Sequence, residues 1–260
     1  TTFFCAKGEL FANLPPNAIG VVNLDDPMIR SICLPLLGTR TRLTFGRDPQ
    51  ADVRILDCVS TRTGSIVKLS IQGHAFDFPV PLFGVHQASN VAAAVSVALA
   101  LGSRPASIQD GITQVAVPGG RCRVFTQAGC NIIDDSYNAN PASMDAAFET
   151  MSVLAGDSRR LAALGCMFEL GPDAPKLHYN VGEAAAKSGI HEVFALGPWA
   201  KDLAEGAKAA GAQAYAFEEM EELSSKVRES LDDGEWLLVK GSRGMRMERV
   251  LDALDTGMID

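Results

Sequence analysis

"NIIDDSYNANPASM", residues 131–144, decides how the second half of the chain is read. Asn131 to Ile133 form an apolar approach, and Asp134 and Asp135 place two carboxylates where a buried strand stops. Asn140-Pro141 then reads as a helix start, because asparagine caps free N–H groups and proline needs none in the first turn. Strand, polar turn and helix together are the repeating unit of a parallel α/β sheet, and ligands of such sheets collect beyond the carboxyl ends of the strands. A carboxylate at that end can accept bonds from paired ribose hydroxyls or help hold a hydrated metal. Equally, Asp134, Asp135 and Asn138 can simply form and cap the turn. The residues alone leave both readings open.

The same rhythm continues outward. "CNIIDDS", "RRLAALG", "EVFALG", "AQAYAF" and "EWLLVKG" read as strands, with helices at 141–154, 175–188, 199–210, 218–231 and 243–254. Alternation at this spacing predicts a mostly parallel sheet with helices on both faces. Upstream, "VPGGRCR" (117–123) punctuates the chain with proline and two glycines, a sensible boundary. Before it the pattern differs. "AIGVVNLDDP" (18–27) is a short strand ending in acids, and residues 41–80 carry the strand runs "TRLTFG", "ADVRIL", "GSIVKLS" and "HAFDFPV". "QASNVAAAVSVALALG" (87–102) is apolar almost all round, which predicts a buried helix ending at Gly102, and 105–115 predicts a more amphipathic one.

Composition narrows the function. The 260 residues are 47% hydrophobic and 21% charged, with a net charge of −8. A nucleic-acid coat needs a basic face that this chain lacks, though a few local donors suffice for a small anion. The six cysteines (5, 33, 58, 122, 130, 166) form no CxxC pair and lie far in sequence from the four histidines (74, 86, 178, 191), so they read as reduced, mostly buried thiols. No apolar run is long enough to span a membrane, and no secretory leader is visible. The first residue is Thr, and we expect the chain to be part of a longer one.

Other stretches offer chemistry with a plainer alternative beside each. "LLVKGSRGMRMERV" (237–250) brings Lys240, Gly241, Ser242 and Arg243 to what reads as a capped helix start, an anion site or an ordinary solvent-facing cap. No GxxxxGK[ST] occurs in the chain. "FGVHQASN" (83–90) sets His86, Gln87 and Asn90 at a helix entrance, where amides can read a purine edge or merely satisfy the helix. Lys7 in "AKGELF" reads as a surface lysine, and "GCMFELG" (165–171) as a loop carrying Glu169.

In order along the chain, "AKGELF…LPPNAIGVVNLDDP", "GVHQASNVAAAVSVALALG", "GGRCRV", "IIDDSYNANPASM", "LGCMFELG" and "LVKGSR…ME" resemble the Mur ligases, most closely the MurF type. That type joins D-alanyl-D-alanine to the UDP-N-acetylmuramoyl tripeptide with ATP and Mg2+ in cytoplasmic peptidoglycan synthesis. The resemblance implies an α/β architecture. Residues 1–120 would be the rear of the ATP-binding central domain, and 121–260 the C-terminal Rossmann-like domain. The UDP-binding domain, the P-loop and the acidic and histidine magnesium ligands would precede residue 1. It also implies roles. Lys7, as a carbamate, would help hold magnesium. His86, Gln87 and Asn90 would meet adenine, Arg121 the ATP phosphates, and Asp135 the ribose side. Asp25 and Asp26 would form the DDP turn, either as structure or as a contact. Tyr137, Asn138, Lys240, Ser242 and Arg243 fall to substrate. Two positions depart from the family pattern: Gln87 stands for the usual Asn, and Cys166 for the Asp of GDMxELG.

The implied reaction forms an acyl phosphate on the tripeptide carboxylate, which the dipeptide amine then converts to an amide, by positioning and charge neutralisation. Two domains would close on ATP, with Arg121 at the hinge, in a monomer. Without a P-loop the chain is expected to be inactive alone. The departures at Gln87 and Cys166 keep a non-catalytic binding or scaffold module as the alternative. A dinucleotide-dependent oxidoreductase lacks its GxGxxG.

Overall fold

The computed structural model describes residues 8–61, 63–85, 87–116 and 119–255, with the side chain of residue 255 left aside. The chain divides into two compact units, Thr1–Ala116 and Val117–Asp260.

In the first unit β1 (Gly20–Asn23), β2 (Arg42–Gly46), β3 (Val53–Thr61), β4 (Gly64–Ile71) and β5 (His74–Val80) lie side by side in chain order. The pairs β1–β2 and β2–β3 are parallel, whereas β3–β4 and β4–β5 are antiparallel. A parallel neighbour requires a crossover. Between β1 and β2 it is a π-helical turn, Ile29–Cys33, running into Leu34–Leu36, a segment the sequence left without assignment. The acids of "LDDP" organise this corner. Asp26 accepts from the Met28 and Ile29 N–H groups at 2.8 and 3.0 Å, and Asp25 accepts from the Arg47 N–H at 2.7 Å.

Helix α1 (Gln87–Ala100) buries Ala88, Val91, Ala92 and Val95 against Phe45, Val53, Ile55, Val67, Leu69 and Phe78 of the sheet. Burial all round, expected from its composition, is not what forms. Asn90, Ala94, Val97 and Leu101 are exposed, Leu101 by 81%. The spacing i, i+4, i+7, i+11 puts them on one face, away from the sheet face the helix packs on. Helix α2 (Pro105–Ile112) follows, with proline in its first turn.

In the second unit the strands are β6 (Arg123–Gln127), β7 (Cys130–Asp135), β8 (Arg160–Gly165), β9 (Glu192–Leu196), β10 (Gln213–Phe217) and β11 (Trp236–Lys240), in the order β10-β9-β8-β11-β7-β6. All pairs are parallel except β6–β7. Between the strands run α3 (Pro141–Ala155), α4 (Ala174–Lys187), α5 (Ala200–Ala209) and α6 (Met220–Ser230). The core joins Ile132, Leu161, Ala163, Phe194, Leu237 and Val239 of the strands to Leu223 and Val227 of α6. Helices α4 and α5 meet at two glycines. A Cβ on Gly182 would stand 1.9 Å from the Leu203 carbonyl oxygen, and one on Gly206 1.9 Å from that of Tyr179. Below the sheet, Arg159 bonds Glu192 at 2.5 Å and Glu235 at 3.0 Å, joining the amino ends of three strands.

Two expectations change here. Edge strand β6 was hidden by the adjacent proline–glycine break, and its hairpin with β7 turns on Ala128 and Gly129, both at positive φ, as a two-residue turn of this kind requires. The helix expected over 243–254 is instead a 3-10 turn at Arg243–Met245, a left-handed Arg246 at φ 51°, and only then α7 (Arg249–Asp255). Met247 explains the break. It is fully buried against Gly165 and Gly241, where a Cβ on either glycine would come within 2.7 Å of it. Seating that side chain turns the backbone out of helical register. Arg243 therefore opens no α-helix, and Ser242 makes no side-chain cap.

Candidate functional site at the carboxyl edge of the second sheet

The parallel strands of the second unit all end on one edge, and polar groups gather where β7 and β11 lie side by side. Lys240 pairs in register with Asp135. Its ammonium, in a side chain only 2% exposed, donates to the Asp135 carboxylate and to the Asn138 carbonyl oxygen at 3.0 Å. The second Asp135 oxygen accepts from the Cys122 N–H at 3.0 Å, leaving the carboxylate one-fifth exposed. Asp134, on the other face of β7, is buried. It accepts from the Gly120 N–H at 3.0 Å and the Ser136 hydroxyl at 2.6 Å. The two adjacent acids thus hold segment 119–122 on opposite sides of the strand end. The Tyr137 N–H returns a bond to the Gly120 carbonyl at 2.8 Å, and the Arg121 guanidinium lies 4.0 Å over the Tyr137 ring. Arg121, Tyr137 and Asn138 are exposed. Asn140 caps α3 in a reciprocal pair with Ser143, and Pro141 occupies its first turn.

A second cluster lies where β8 ends. The Cys166 carbonyl accepts from Ser242 N–H at 3.2 Å, and its sulfur from Trp199 N–H at 3.3 Å. Met167 N–H donates to His178 Nε2 at 2.8 Å, and Phe168 N–H to the Ser242 hydroxyl oxygen at 2.9 Å. His178 is fully buried. Because Nε2 accepts, Nδ1 carries the proton and donates to the Ala174 carbonyl at 2.6 Å. Burial pushes its pKa below the ordinary 6.5, while the Ala174 carbonyl and Asp202 pull the other way. Burial likewise raises the Cys166 thiol to about 11, and burial with Asp135 nearby raises Cys122 to about 12, so both stay neutral.

The sequence-derived candidates therefore divide. Arg121, Asp135, Tyr137, Asn138 and Lys240 come together on one edge. Ser242 is buried and joins the second cluster, and Arg243 pairs with Glu248 at 3.1 Å. In the first unit Gln87 accepts from the Asn90 side-chain amide at 3.0 Å. Lys7 and His86 lie outside the described residues. Sequence reasoning missed His178, although its place among Ala174, Val181 and Ala185 on the buried stripe of α4 was a usable signal. Among the described residues no group of three or more His, Cys, Asp or Glu is placed to hold a metal ion, and no helix is long and apolar enough to cross a membrane.

Comparison with known proteins decides the family. The Mur ligase middle domain matches residues 2–98 and the Mur ligase glutamate ligase domain residues 120–243. The chain belongs to the Mur ligases. This Mur ligase chain is 30% identical over 253 residues to the UDP-N-acetylmuramoyl-tripeptide–D-alanyl-D-alanine ligase of Escherichia coli strain K12, covering 96% of itself and 54% of that protein. It is 28% identical over 252 residues to the enzyme of the same name from Bacillus subtilis strain 168, with the same coverage of 96% and 54%. A crystal structure of MurF from Acinetobacter baumannii superposes with a TM-score of 0.84 at 27% identity, over 96% of this chain and 55% of that one. MurF from Thermotoga maritima, solved in complex with ADP, shares the fold with a TM-score of 0.79 at 24% identity, over 96% and 56% of the two chains. The Mur ligase chain thus spans about half the length of the curated relatives it matches.

Proposed function

We propose that this chain is the nucleotide- and acceptor-handling part of a MurF-type ligase, which uses ATP to join D-alanyl-D-alanine to a UDP-N-acetylmuramoyl tripeptide in peptidoglycan synthesis. The observation that carries the reading is the coincidence of family and edge. Relatives named for this reaction match 96% of the chain, and the acid and cation expected to meet ATP sit together where parallel sheets bind ligands.

Asp135 accepts the ribose hydroxyls. Its paired Lys240 fixes the carboxylate rather than touching substrate, and Asn138 joins through its carbonyl. Arg121, its guanidinium 4.0 Å over the Tyr137 ring and its side chain exposed, supplies donors to the phosphate oxygens. Gln87 and Asn90, bonded to each other, are the amides assigned to adenine on this reading, together with His86. Ser242 shapes the loop beside Arg243, whose guanidinium exchanges Glu248 for a substrate carboxylate. The tripeptide carboxylate takes the γ-phosphoryl group to give an acyl phosphate, and the dipeptide amine displaces phosphate to give the amide. The described residues supply no metal donor set. Magnesium belongs to this reading only through Lys7 as a carbamate. The domain bounds that go with the reading are 1–120 and 121–260.

Titrating the chain with fluorescent ADP tests the nucleotide half. Binding that falls at least about tenfold in D135A, with one charge-assisted bond lost, is expected. Absence of binding overturns the reading. Incubation with ATP, magnesium and both substrates should release no phosphate above background, since no GxxxxGK[ST] is present. A chain that neither binds nucleotide nor turns over fits the binding-module alternative, which Gln87 and Cys166 motivate.

A further inference from the structure

Among the described residues other than glycine, positive φ occurs at Gln72, Cys122, Ala128, Glu169 and Arg246. Gln72 and Ala128 each precede a glycine in a two-residue hairpin turn, where that geometry is demanded. The other three have no such excuse, and all flank the carboxyl edge of the second sheet. A left-handed non-glycine residue costs about 1–3 kcal/mol and persists only where its surroundings over-determine it. At Glu169, φ 63°, the surroundings are explicit. The three preceding residues are each tied down: Cys166 by Ser242 and Trp199, Met167 by His178, and Phe168 by the Ser242 hydroxyl. The result is a fixed platform that ends in an exposed carboxylate with no described bonding partner and a Phe168 ring packed on Gly244.

A carboxylate accepts but does not donate, so it seeks a cation or a strong donor. The Cys166 thiol brings no charge to this strand end, so its negative charge comes from Asp202, which acts on Cys166 and His178, and from the exposed Glu169. On the ligase reading, the substrate that carries a cation is the acceptor dipeptide, with its ammonium group and two small apolar side chains. We propose that Glu169 holds that ammonium group, that Phe168 walls the alanyl methyls, and that His178 is the positioning residue that sets both by accepting the Met167 N–H. This rests on the ligase reading above.

Calorimetric titration of the 260-residue chain with D-alanyl-D-alanine, N-acetyl-D-alanyl-D-alanine and, in parallel, ADP tests it. The dipeptide should bind, its N-acetyl form and the E169Q variant should each lose at least about tenfold, and ADP should be unaffected by the mutation. H178F should lose as much dipeptide affinity as E169Q, whereas H178Q, whose amide oxygen can still accept from Met167, should retain it. Thermal melts of each variant separate a lost platform from a lost fold. Dipeptide binding indifferent to E169Q, or ADP binding without dipeptide binding, overturns the proposal and leaves the nucleotide reading standing. Equal loss in H178Q and H178F with native melting overturns the role of His178. A chain that binds neither ligand overturns the ligase reading itself.

Discussion

Lys240 carries an ammonium into a place water barely reaches, and Asp135 is what makes that tolerable. Removing one partner of such a pair leaves an uncompensated charge, which costs about 3–5 kcal/mol. D135A should therefore lower unfolding free energy by about that amount in urea titration, besides weakening nucleotide binding. His178 makes a prediction of opposite chemistry. Its folded pKa lies below the unfolded 6.5, because burial favours the neutral ring. The unfolded chain thus binds the proton first, and stability is fully present above pH 6.5 and falls as pH drops through the folded value. Urea midpoints from pH 7.5 to 5 should trace this loss, and H178Q should remove that component. At this scale the sequence was half legible. Asn140-Pro141 announces its cap through local chemistry. The burial of Lys240 depends on Asp135, 105 positions away, and the tautomer of His178 on where the fold sets the Met167 N–H, which no linear pattern displays.

The α4–α5 crossing depends on two missing side chains. Alanine at Gly206 would push a methyl into the Tyr179 carbonyl, and such overpacking costs about 1–3 kcal/mol. G206A should lower the melting temperature while circular dichroism keeps its helical signal. The strands β7 to β11 and the helices between them follow from periodicity and turn residues, since buried parallel strands read as apolar runs. Periodicity failed where burial overrode it. Met247 broke the expected 243–254 helix to reach the core, and α1, apolar almost all round, turned out to bury only one face. Alanine-rich helices hide their orientation because little distinguishes their faces in hydropathy.

Over the whole second unit, the sheet separates two kinds of work. A strand of six residues such as β8 is about 20 Å long, so Arg159 and the loop carrying Glu169 stand at opposite ends. R159M leaves Glu192, a side chain 4% exposed, without its cation, and should cost about 3 kcal/mol, read as a melting temperature several degrees lower. ADP titration of the same variant should be unchanged. Strand order could not be read from the sequence alone, because β11 returns between β7 and β8 and nothing local marks that insertion. The guanidinium clasp at the lower rim has a practical corollary. Durability can be tuned from the lower rim without touching recognition, whereas the upper rim, where Asp135 serves both ends, ties appetite to endurance.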